Sequence, residues 1–120
     1  MTVVTLFTGK NGVLKECKAN GHAGFSKKGT DIVCSAVTIL LRTAVELLSQ
    51  MKDVKLSTET FSRGTLAFLV EMKESCLDFE TESRLRCIAD FLRQGFASLA
   101  KEFPENLCFS EESAQREIKV

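Results

Sequence analysis

One histidine and one cysteine frame the part of the chain best equipped for chemistry. In "NGHAGFSKKGTDIVCSAVTILL", residues 20–41, His22 is the only histidine of 120 residues and stands twelve positions before Cys34, which opens an apolar run. The pattern places Cys34 in the first turn of a helix. There, unpaired backbone NH groups and the positive end of the helix dipole favour the thiolate, and the same NH groups can hold an oxyanion. With His22 folded over that turn, nucleophile, base and oxyanion donors would share one place, as attack on a carbonyl requires. The plainer alternative is a packed thiol and a surface histidine.

Between the two, "NGHAGFSKKGT" runs eleven residues and contains Gly21, Gly24 and Gly29. A simple strand-to-helix connection needs two to six residues. Longer glycine-rich loops are commonly binding loops or lids, because glycine admits unusual backbone angles and close approach of another chain. Two caps are open to the helix. Asp31 as N-cap would occupy an NH donor and set negative charge beside the thiol. Thr30 as N-cap would make Asp31 the first helical residue, free to orient His22.

The five cysteines, Cys17, Cys34, Cys76, Cys87 and Cys108, are an odd number without a CxxC pair. They read as free thiols, and no zinc-ligand spacing is present. Sixteen basic residues balance sixteen acidic ones. The global field therefore steers the chain neither to nucleic acid nor to an anionic membrane. No apolar run is read as reaching the roughly 18 to 20 residues of a membrane span, and the N-terminus lacks signal-peptide regions. The expectation is a single domain over 1–120, soluble and cytoplasmic.

Those candidates need elements to hold them. "TVVTLFT" and "VLKECKA" alternate around Asn11-Gly12 and read as a hairpin. Val33, Ala36, Val37, Leu40, Ala44, Leu47, Leu48 and Met51 recur at helical steps. "VKLSTET" and "TLAFLVEMK", with "FSRG" between them, read as a second hairpin. Leu85, Ile88, Ala89, Leu92, Phe96, Leu99, Ala100 and Phe103 mark a second helix, stopped by Pro104. "LCFS" reads as a short edge strand, followed by a charged, fraying tail. The order is ββαββαβ, and the fold class is α+β. It implies a mostly antiparallel sheet of four to five strands with two helices on one face.

Gly21-His22-Ala23, Gly29, Asp31-Ile32-Val33-Cys34, and then Ala36 and Val37, resemble the signature of the ribosomal-processing cysteine protease family. Ser35, Thr38 and Phe25 depart mildly from the family pattern, keeping size or character. The resemblance implies Cys34 as nucleophile and His22 as general base, with Asp31 in a supporting position. It also implies a substrate-binding loop of Gly21, Ala23, Gly24, Phe25 and Gly29. No metal or organic cofactor is implied, nor a membrane or a direct nucleic-acid partner. The implied protein is a cytoplasmic homodimer. It would remove the N-terminal extension of a large-subunit ribosomal protein, cutting after an aromatic residue.

Two rivals stand beside this reading. A ribosome-associated binding module would grip protein or RNA with the long loop and leave Cys34 as packing. A thiol redox sensor would need a resolving cysteine near Cys34. Faster alkylation of Cys34 than of an ordinary thiol separates the protease from the binder.

Overall fold

The computed structural model describes residues 1–21, 28–59, 65–73 and 78–113, with only the backbone path at 28–31. The "FSRG" turn, Cys76 and the last seven residues lie outside the described residues. The strands are β1 (Thr2–Thr8), β2 (Leu14–Asn20), β3 (Val54–Glu59), β4 (Thr65–Met72) and β5 (Leu107–Ser113). The helices are α1 (Lys28–Ser49) and α2 (Phe79–Glu102), so the order is ββαββαβ as expected.

The alternating pattern of β1 becomes a two-sided strand. Thr2, Val4, Leu6 and Thr8 are buried, while Val3 between them is exposed. Asn11 adopts φ 63° and Gly12 φ 75°, the left-handed pair that lets two twisted strands reverse directly. The five strands form one sheet in the order β3-β4-β2-β1-β5. Three pairings are antiparallel, whereas β5 runs parallel to β1, so the sheet is mixed. The two hairpins join through β2 and β4, with Asn20 opposite Thr65.

Both helices supply the core. Helix α1 packs over β3 and β4, and α2 packs over β1, β2 and β5. From α1 the buried residues are Val33, Val37, Leu41, Ala44 and Leu48; from α2 they include Leu85, Ile88, Ala89, Leu92 and Phe96. The apolar face of α2 matches its sequence pattern. In α1 the buried stripe takes Leu41, which the periodicity passed over, and leaves Leu47 exposed. Leu40 faces α2 closely, for a Cβ added at Gly95 would lie 3.1 Å from Leu40 Cδ1.

Three features correct the sequence reading. Helix α1 begins at Lys28, so Gly29, Thr30 and Asp31 all lie inside its first turn. Once a long apolar face is seated on the core, each added helical residue gains a hydrogen bond without a new nucleation cost. The connection from β2 is correspondingly shorter, residues 21–27. Strand β5 continues through Glu111, Glu112 and Ser113, where a fraying tail was expected. Finally, Ile32–Ser49 is long and apolar enough to cross a membrane by length and composition, against the expectation of no such run. Its buried stripe instead forms part of the core on the sheet.

Candidate functional site

The motif leaves the sheet at the end of β2. There the Thr65 hydroxyl donates to Asn20 Oδ1 at 3.2 Å, tying the start of β4 to the point where the chain departs. Gly21 follows, against the first residues of β1. A Cβ at Gly21 would lie 2.9 Å from Thr2 Cα and 2.6 Å from Thr2 Oγ1. No side chain fits there without moving backbone. The glycine therefore has a packing reason beyond any role in a loop, and sequence held no sign of it because Thr2 is nineteen residues away.

His22, Ala23, Gly24 and Phe25 lie outside the described residues. Of the predicted catalytic set, the structure places Cys34, together with the backbone of Asp31. Asp31 precedes Cys34 by three residues on one helix, a spacing that makes the two positions neighbours along its surface. Gly29 sits two residues further towards the start, in the same first turn as Asp31. Cys34 is held at the margin of the core. Val33 and Val37 on either side are buried, and the turn of the helix leaves the thiol half-buried between core and solvent.

The longer helix changes the electrostatics expected of this thiol. Cys34 is the seventh residue of α1, in the second turn. Its amide is committed to the carbonyl four residues back, so it is no free oxyanion donor. The NH groups of residues 28–30 have no carbonyl within α1 to bond, one turn towards the start. A helical side chain leans towards the N-terminus, which directs the Cys34 side chain to that same turn. The thiol is thus directed to the turn that carries these NH groups, although neither Thr30 nor Asp31 is the boundary residue.

The other described cysteines differ from Cys34 in place. Cys17 is fully buried in β2, and burial pushes its thiol up to about 12, so it stays protonated and inert. Cys87 on α2 and Cys108 on β5 are exposed. These four are free thiols, as the odd count of five in the chain and their spacing suggested. Among the described residues no three His, Cys, Asp or Glu side chains converge as a metal-ligand set.

Comparison with known proteins places this arrangement. A search of curated proteins returns no significant match. Among solved structures, the chain is similar to SMU.848 from Streptococcus mutans, at 24% identity and TM-score 0.73, over 94% of this chain and 95% of that one. It is also similar to the essential ribosomal processing protease Prp from S. aureus in complex with a substrate peptide, at 15% identity and TM-score 0.72. That alignment spans 92% of this chain and 99% of the other. A second S. aureus Prp structure, with a covalently linked product peptide, aligns at 17% identity and TM-score 0.69 over the same shares. These likenesses establish a shared fold. The family described as Cysteine protease Prp matches residues 1–108, an interval that contains the whole motif from Gly21 to Val37, and the chain belongs to that family.

Proposed function

We propose that this chain is a cysteine endopeptidase that removes the N-terminal extension of a large-subunit ribosomal protein, with Cys34 as nucleophile and His22 as general base. The observation that carries the reading is the family match across residues 1–108, which includes both residues. The half-buried setting of Cys34 one turn from the opening NH groups of the helix supports it.

In this mechanism His22 takes the Cys34 proton and the thiolate adds to the scissile carbonyl, forming the S–C bond. NH groups of residues 28–30 are the donors for the resulting oxyanion. His22 returns the proton to the leaving amine as the C–N bond breaks, and a thioester remains on Cys34. Water, deprotonated by His22, then attacks the thioester and releases the thiolate and the new carboxylate. A product held covalently, as in the S. aureus relative, agrees with such an intermediate. Asp31 stands one turn from Cys34 as a supporting group, and the Gly21, Ala23, Gly24, Phe25 and Gly29 stretch receives the peptide. The reading includes cleavage after an aromatic residue, one domain over 1–120, and action as a cytoplasmic homodimer without metal or organic cofactor.

Incubation with the host's own large-subunit ribosomal protein, followed by intact mass measurement, tests the reading. Loss of a short N-terminal peptide by the native protein, and no loss with Cys34→Ala, is the expected result. An unchanged mass with native protein would remove the assignment.

A further inference from the structure

A groove of about 300 Å³ runs between α1 and the second hairpin, lined by Leu41, Val45, Leu66 and Phe68, with Arg42 and Glu46 on its helical rim and Thr58 on its strand side. It takes no part in the chemistry proposed above. Its position on the helix connects it to Cys34. At 100° per residue, Leu41 and Val45 fall within about 20° of the meridian of Cys34, on the side of α1 turned away from the Leu40 contact with α2. At 1.5 Å per residue they lie about 10 and about 16 Å along the axis from it. An extended peptide advances roughly 3.3 Å per residue. Three to five residues therefore reach from a scissile bond at Cys34 to the groove.

We propose that this groove is a distal specificity subsite for the peptide substrate, receiving an apolar side chain three to five residues from the scissile bond. This rests on the protease reading. The occupant follows from the walls. The floor is aliphatic and aromatic, and the rim carries one cation and one anion, so an apolar side chain is favoured and a charged one gains no net partner. Thr58 belongs to β3, an edge strand paired only to β4 among the described strands. Addition of an extended chain to such an edge is the usual means by which a peptide is held while its side chains enter pockets. Thr58 lies opposite Phe68 in the register, on the helix-facing side, and is exposed. A larger side chain there fills the groove without entering the core.

The test compares two peptides carrying the host extension, one with six residues on each side of the scissile bond and one with two. Thr58→Trp should lower kcat/KM for the long peptide by about tenfold, mostly through KM, and leave the short peptide unchanged. Equal rates for variant and native protein on both peptides, or equal losses on both, would overturn the subsite while leaving the protease standing. If native protein cleaves neither peptide, the protease reading falls and the subsite with it. A second measurement needs no groove variant and no turnover. In Cys34→Ala, the amide resonances of Thr58 and Leu66 should shift on adding the long peptide and stay in place with the short one. Unmoved resonances with the long peptide bound would also overturn the proposal.

Discussion

Arg93 of α2 grips Glu111 of β5 through two parallel hydrogen bonds, Nε to Oε1 at 2.7 Å and Nη2 to Oε2 at 2.8 Å, while its Nη1 donates to Asp90 at 2.6 Å. This fork sits where β5 continues past "LCFS", for Glu111 stands opposite Leu6 in the parallel ladder with β1. Arg93 holds the Glu111 carboxyl below its ordinary value of 4.5, against a smaller opposing effect of burial. A carboxylate whose folded pKa is depressed contributes stability above its unfolded pKa and loses it as pH falls through the folded value. Native protein should therefore lose more stability than Glu111→Gln as pH drops from 4.5 downward. Both side chains are about a third exposed, so the difference should be only about 1 kcal/mol, read by urea unfolding at several pH values.

Gly21→Ala should lower stability by roughly 1–3 kcal/mol, the cost of overpacking a closed contact. Thr2→Gly added to it should recover only part of the loss. The hydroxyl and Cβ would be gone, but Thr2 Cα still stands 2.9 Å from the new methyl. A double-mutant cycle by thermal unfolding measures this coupling. Full recovery would show that the side chain alone sets the limit.

Cys34→Ala should abolish cleavage and leave the circular dichroism spectrum unchanged, since a half-buried thiol at the core margin leaves little cavity. In native protein, iodoacetamide followed by peptide mass mapping should label Cys34 before Cys87 and Cys108. Cys17 should stay unlabelled until the chain unfolds, because its thiol is buried and pushed up to about 12. Early labelling of Cys17 would contradict the β2 core.

His22→Ala should slow turnover by at least about a hundredfold, the lower range for a positioned acid-base group, and slow alkylation of Cys34. Asp31→Asn should cost less. Unaltered alkylation in the His22 variant would leave helix position as the only source of thiol activation.

Replacing the aromatic residue before the scissile bond by aspartate should reduce the cleavage rate far more than replacing it by leucine, because a charge would enter an apolar pocket unpaired. Steady-state rates on the three peptides decide it. Equal rates would remove the aromatic preference and leave the bare protease assignment.

Local pattern by itself determined much of this protein. Alternation marked the four hairpin strands, Asn11-Gly12 marked the first reversal, and the apolar steps from Leu85 to Phe96 marked the buried face of α2. These signals are carried by neighbours in sequence, where backbone preference and side-chain period act directly. The apolar steps also put Cys34 near the start of a helix, with Asp31 at its boundary or just inside it. Tertiary structure decided whatever depends on a distant partner. Glu111 is strand because it pairs with Leu6 of β1, far away in the chain, while Arg93 of α2 holds its side chain. Gly21 has no room for a side chain because Thr2 crosses beside it, and β5 runs parallel to β1 because α2 carries the chain back across the sheet. The same holds for the thiol. Packing of α1 on β3 and β4 takes Leu41 into the core and accompanies a helix that starts at Lys28. That moves Cys34 from the first turn to the second. The residue type was written locally, but the donors around it depend on where the whole helix is seated, and contacts across the sheet settle that position.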